Sequence, residues 1–259
     1  MDLAREFRRF KRWTKVWGIK HTCPFCHRPL SRFIPAGLDV PVLYDKQVVG
    51  GGLRESARCY ICGSMDRERL VFLYLKHHSN MFKQHNKVLH IAPEPVLMNC
   101  FRQCKNLFYL TADLKSPRAD VKLDLTALPF QDDTFDFVIV NHVFEHIPDD
   151  NLAMTEVLRV LKKHTGKAIL QVPISLNLER TFEDSKVTTD EGRLEVFGQE
   201  DHVRIYGQDY KQKLESAGFS VDVFDWNIDD KHFSNNNKYG LIKEEKLFVG
   251  SKINSMKLG

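Results

Sequence analysis

Nowhere does the sequence hold the run of about 18 consecutive apolar residues that a membrane-crossing helix requires. Nor does an apolar segment accompany the charged N-terminus, basic from Arg5 onward, as it would in a secretory leader. The expectation is a soluble, cytoplasmic protein. Distributed positive charge is missing too: the net charge is +4, yet residues 1–20 alone carry seven bases against two acids, so residues 21–259 are net −1. That argues against a broad basic platform for nucleic acid and assigns any polyanion attraction to the N-terminal segment. No Gly-x-Gly-x-x-Gly turn follows the first strand-like run, which argues against a dinucleotide-dependent dehydrogenase. Cysteine is sparse, with six residues, but four of them fall into two Cys-x-x-Cys pairs. Without a leader, such pairs point to a metal rather than to disulfides.

Cys23-Pro24-Phe25-Cys26 and Cys59-Tyr60-Ile61-Cys62 each place two thiolates on one tight turn, with 32 residues between the pairs. Brought together, Cys23, Cys26, Cys59 and Cys62 make a closed tetrahedral zinc site with no position left for a catalytic water, so the metal is expected to be structural. Redox-active or simply buried thiols are the other reading. Val42-Leu43-Tyr44 and Val48-Val49, followed by Gly50-Gly51-Gly52, are expected to form a short hairpin between the turns. Cys100 and Cys104 read as core-facing small hydrophobes beside Leu97 and Phe101. Ahead of the cysteines, Leu3, Phe7, Phe10 and Trp17 share one helical face, with Ala4, Trp13 and Val16 beside it. Residues 1–20 are therefore expected to form a basic amphipathic helix docked on its own protein, the alternatives being peripheral contact with an anionic membrane or with RNA.

From Lys87 the chain alternates short apolar runs with helix-like stretches, the pattern of an α/β doubly wound domain. The strands are expected at Val88–Ala92, Leu107–Ala112, Val121–Leu123, Phe135–Asn141, Ala168–Val172, Phe219–Phe224 and Lys246–Gly250, the last two as antiparallel neighbours. Helices are expected over Val96–Cys104, over Leu152–Lys163 behind Asp149 and Asp150, and over Lys211–Ala217, stopped by Gly218. The fold class is thus a seven-stranded, mostly parallel Rossmann-like sheet with its last strand antiparallel, plus a small N-terminal zinc-binding module. An aspartate at the carboxyl end of a second parallel strand can accept both hydroxyl protons of a ribose, which singles out Asp113.

Asp113, the run Asp124-Leu125-Thr126-Ala127-Leu128-Pro129-Phe130, and the block from Phe135-Asp136 through His146-Ile147-Pro148-Asp149-Asp150 together carry a resemblance. The stretch from Val88 to Gly250 resembles the class I S-adenosylmethionine-dependent methyltransferases, especially their type-11 group, and the cysteine module resembles the zinc-ribbon extension of some bacterial members, including certain ribosomal RNA guanine methyltransferases. The resemblance implies S-adenosylmethionine as cofactor, Asp113 on its ribose, Asp124 and the Leu125 amide on its adenine, and Asn141 and His142 near its methionine end. The departure lies in the first loop, His90-Ile91-Ala92-Pro93-Glu94-Pro95. Family members usually carry an acid and a glycine-rich turn there; here His90 replaces the acid, Ala92 stands in for a glycine, and Glu94 is placed to meet the cofactor's amino group.

Methyl transfer needs alignment above all, and a base where the acceptor must lose a proton. His142 and His202 are the candidate bases, His146 reading as a cap or anchor for the next helix. Arg180 and Arg204, with Tyr206, are the candidate residues for an anionic acceptor, and the charged stretch Thr181–Glu200 reads as a lid. The organisation expected is residues 1–20 helix, 21–66 zinc-ribbon-like module, and 67–259 methyltransferase domain with an acceptor-site insertion at about 174–210. The leading function is methyl transfer to a small or carrier-bound metabolite. The alternatives are an RNA methyltransferase that uses the zinc module to hold nucleic acid, and a non-catalytic scaffold that has lost its cofactor.

Overall fold

The structure, a computed structural model, describes residues 3–233 and 236–252 of the 259-residue chain; the side chains of residues 3–6, Arg9 and Asp230 lie outside the described set, so the expected packing of Leu3 and Ala4 lies outside it too. Seven strands make the main sheet: β1 (Asn86–Ile91), β2 (Leu107–Asp113), β3 (Val121–Lys122), β4 (Phe137–Asn141), β5 (Lys167–Gln171), β6 (Ser220–Phe224) and β7 (Leu247–Ser251). Their order is β6-β7-β5-β4-β1-β2-β3. All neighbours run parallel except β7, which lies antiparallel to both β5 and β6. The chain winds outward from β1 to β3, then returns to place β4 on β1's other side. The carboxyl ends of β1 and β4 therefore flank the crevice where such sheets bind ligands.

Burial on both faces explains why the central strands read as unbroken apolar runs. Leu89, Ile91, Val138, Val140 and Leu170 face one core, whereas Val88, Phe137, Ile139 and Ile169 face another, as a two-residue side-chain period dictates. Helix α4 (Asp150–Val160) covers the first face with Ala153, Met154 and Val157. Its N-terminus is fixed by Asp149, whose side chain accepts from the Leu152 amide (2.9 Å). Helix α2 (Asp66–His78) covers the second with Leu70, Val71 and Leu73. Helix α3 (Pro95–Phe101) opens on proline, whose missing N–H costs nothing in the first turn.

The two cysteine turns share a design. In each, the amide of the residue after the second cysteine (His27, Gly63) donates to the carbonyl of the first (both 2.9 Å) and adopts positive φ. The expected hairpin between them does not form. Pro41–Asp45 is helical, and Val48–Val49 pairs instead with Ile174–Ser175 of the later insertion, while Ile34–Ala36 pairs with Arg54–Arg58. The module is also tied in by Arg69, fully buried, whose guanidinium donates to the carbonyls of Ala57 and Ser64 (both 3.0 Å) and of Tyr239 and Gly240 (both 2.8 Å).

Helix α1 (Leu3–Thr14) docks by its end rather than by the expected face. Trp13 donates to the Pro29 carbonyl (3.0 Å) and Val16 is buried, whereas Phe7, Phe10 and Trp17 are 55–61% exposed. The insertion is a built cover, not only a charged lid: Phe182–Glu183 pairs with Arg204–Ile205, and helix α5 (Asp190–Phe197) runs from a Thr189 cap to left-handed Gly198.

Candidate active site

The four cysteine sulfurs lie within 4.8 Å of one another, with Cys23 3.5 Å from Cys62 and Cys26 3.9 Å from Cys59. These separations are far beyond the about 2 Å of a disulfide. They match the edges of a tetrahedron around an ion with metal–sulfur bonds of about 2.3 Å, so the donor set fits zinc.

At the end of β1 the chain turns sharply, and Ala92 adopts φ +46°, the left-handed region that favours glycine. His90 is fully buried; its Nε2–H donates to Glu94 (3.0 Å) while Nδ1 accepts from the Tyr109 hydroxyl (2.8 Å). The amide of Asn141 donates to the other oxygen of Glu94. Burial pushes the Glu94 carboxyl upward, but the hydrogen bond from His90 and the positive charge of Arg67 outweigh it and hold the group below its ordinary range. The first loop is thus braced by a His–Glu–Asn chain. Asp113, ending β2, accepts from the amides of Lys115 and Ser116 through one oxygen (both 2.7 Å). Asp124 accepts from the Thr126 amide (2.8 Å) and hydroxyl (2.7 Å), which keeps its carboxyl ionised well into acid.

Beyond β4 lies a cavity of about 280 Å³ whose walls include Gly50, Arg67, His142, Glu145, His146 and His202. His142 sits at φ +56°, its amide donating to the Gln171 carbonyl (2.8 Å). Its Nδ1 is 3.5 Å from Glu145 and its Nε2 is buried without a partner among the described residues. Burial drives its pKa well down, so the ring is neutral. Burial also lowers His202, to about 4, and raises Glu145, 2% exposed, to about 8. Gly50 sits at φ +80°, and a Cβ there would press on this ring, 3.3 Å from His142 Cε1 and 3.2 Å from Glu245. Arg54 is engaged by Asp66 through two bonds (2.8 and 3.1 Å). Arg67, by contrast, makes no ion pair among the described residues, and its buried Nε has no partner.

Residues 76–169 match the family model described as a methyltransferase domain. Over that stretch the chain carries a methyltransferase domain. No curated protein matches the sequence. Among solved structures, the [4+2]-cyclase SpnF is similar at 13% identity over 84% of this chain and 99% of that one, with a TM-score of 0.52. The 1,6-didemethyltoxoflavin-N1-methyltransferase of Burkholderia thailandensis, solved with S-adenosylhomocysteine, is 15% identical over 71% and 76% (TM-score 0.48). A SAM-dependent methyltransferase of Archaeoglobus fulgidus is 16% identical over 71% and 94% (TM-score 0.44). At these identities the likeness is one of fold.

The methyltransferase domain does not bring every expected acceptor residue to the cavity. Arg204 touches it but is spent internally: it donates to the carbonyls of Phe144 (2.8 Å), Ile147 and Pro148 (2.9 Å) and to Glu183 (2.8 Å). The Tyr206 hydroxyl is buried on Asp150 (2.7 Å), and exposed Arg180 borders a separate surface depression with Gln208 and Gln212. Among the described residues, the cation left available in the cavity is Arg67, which the sequence does not single out because it lies on α2, at the seam between the cysteine module and the sheet.

Proposed function

We propose that the protein transfers a methyl group from S-adenosylmethionine to a small or carrier-bound acceptor with an anionic group, with zinc held by Cys23, Cys26, Cys59 and Cys62 as a structural ion. The observation that carries this reading is the cavity beyond β4, which joins an unpaired arginine, Arg67, to a neutral buried imidazole, His142, beside the crevice between β1 and β4.

The cofactor supplies a methyl already activated on a sulfonium. The chain's residues bind and orient. One oxygen of Asp113 shapes its own loop, and the other is left for the ribose hydroxyls. Asp124 and the Leu125 amide would hold the adenine, and the braced loop His90–Glu94, Ala92 and Asn141, whose carbonyl oxygen is buried and unpartnered, would face the methionine end. Arg67 would grip the acceptor's carboxylate or phosphate. His142 would take a proton at Nε2, with His202 beside the same space as the other candidate base.

A second reading has its own observation. Arg8, Arg12 and Arg58, with Tyr60, Asn99 and Gln103, line a groove between α1, the cysteine turns and α3, a surface suited to an RNA strand. A gel shift that weakens with salt would favour RNA as acceptor. The primary test is calorimetry of the zinc-replete protein with S-adenosylhomocysteine. Binding that is lost in Asp113→Ala supports the enzyme, and no binding to the wild type defeats it.

A further inference from the structure

Glu145, His146 and His202 converge in a way that methyl transfer with His142 as its base does not require. We propose that these three side chains form a second metal site, taking a first-row divalent transition ion such as zinc or iron(II), at the wall of the cavity and apart from the cysteine cluster. Each offers one donor atom, and the three donors lie within 4.8 Å of one another.

The geometry favours a built site over an accidental cluster. Glu145 and His146 belong to the Phe144–His146 turn after β4, and His202 to the loop before Arg204–Ile205. The two segments are stitched together beside the donors. The Val203 amide donates to the Glu145 carbonyl (2.9 Å), and buried Arg204 clasps the carbonyls of Phe144, Ile147 and Pro148. Such fixing of ligand-bearing backbone is what a metal site needs. The imidazoles of His146 and His202 meet edge to face, 4.6 Å apart, and His146 Nδ1 lies 3.1 Å from Asp201, off the line of a hydrogen bond. Glu145 Oε2 is buried with no donor among the described residues, and the nearest approach of Oε1 to the His142 ring is 3.5 Å, too long for a hydrogen bond. A buried oxygen left bare in this way is open to a cation.

The donor chemistry sets the ion. Two imidazoles and one carboxylate suit zinc or iron(II), whereas magnesium and calcium prefer all-oxygen sets. Three protein ligands leave coordination positions open, and all three residues line the same cavity as Arg67. An acceptor's anionic group could then bridge the ion and Arg67; this last step rests on the proposed acceptor site, while the metal site itself does not.

The test uses the full-length chain, zinc-loaded at the cysteines, titrated with cobalt(II) and followed by visible absorption. The expected result is one further equivalent of cobalt without a thiolate charge-transfer band, lost in both Glu145→Gln and His202→Ala, with each variant's cooperative melting checked. The proposal is overturned if the wild type takes up no ion beyond the cysteine-bound one, or if the extra equivalent persists in both variants. If one variant fails to fold the other decides, and His232→Ala, which removes the separate His78–Asp229–His232 cluster, should leave the extra equivalent in place. Calorimetry with S-adenosylhomocysteine reports separately on the methyltransferase reading.

Discussion

Asp113 and Glu94 illustrate how much one side chain's environment decides. Asp113 spends one oxygen on its loop and keeps one free, so Asp113→Ala should weaken S-adenosylhomocysteine by at least about tenfold, the worth of one charge-assisted hydrogen bond, as read by calorimetry. Glu94 is held from two sides. Glu94→Ala should lower the stability of the apo-protein by about 2 kcal/mol in urea unfolding, because buried His90 and Asn141 lose a charged acceptor together. Positions of this kind were legible in the sequence, because strand ends follow from apolar runs and polar residues just past them collect in the crevice. Arg67 was not legible. Nothing near Arg67 in sequence marks it; it matters because α2 points it at His142, which is far along the chain. Arg204 misled for the converse reason: a guanidinium in a polar cluster reads as a ligand grip, and only the carbonyls of Phe144, Ile147 and Pro148 reveal a backbone clasp.

Elements were read best where their own sequence determines them. The seven strands, the antiparallel β7 and helix α4 all follow from apolar period and capping residues within each segment. Asp149→Ala should therefore cost about 1 kcal/mol, measured as a shift in the urea midpoint, since it strips the cap from α4. The hairpin expected at Val42–Val49 failed because two apolar residues can pair with any edge, and Ile174–Ser175 supplies one from far along the chain. Helix α5 was masked by its composition. Its acids Asp190, Glu191 and Glu195 face outward, and its anchors are few, chiefly buried Phe197 and Gly198, where a Cβ would stand 2.4 Å from Leu43. Gly198→Ala should consequently loosen the cover from the Pro41–Asp45 helix, visible as faster amide exchange in α5 than in α4.

At the scale of the whole molecule, buried acids set a pH dependence. Burial raises Glu68 to about 7 and Glu245 to about 8 from an ordinary 4.5. The folded chain then holds protons that the unfolded chain releases, so the stability these groups contribute is full below 4.5 and is lost as pH rises through 7 and 8. His142 and His202, held neutral, act in the opposite sense only below their ordinary 6.5. Between pH 4.5 and the folded values of about 7 for Glu68 and about 8 for Glu245, stability should fall by as much as about 1.4 kcal/mol per pH unit for each acid and then level off, and Glu245→Gln should flatten the slope. Chelation should act more broadly. If the four cysteines hold zinc as proposed, stripping it should loosen Gly50 and neighbouring wall residues, and the melting midpoint should drop by at least about 5 °C and recover when zinc is returned. The pairing of Val48–Val49 with Ile174–Ser175 carries a practical corollary. A shortened chain starting near residue 67 would keep the whole parallel sheet yet expose a raw strand edge and a cavity with one side torn away. Expressed by itself, that fragment should clump through the bare edge, and the seam that looks like a place to cut is one that any fusion or gene-shuffling design must carry across intact.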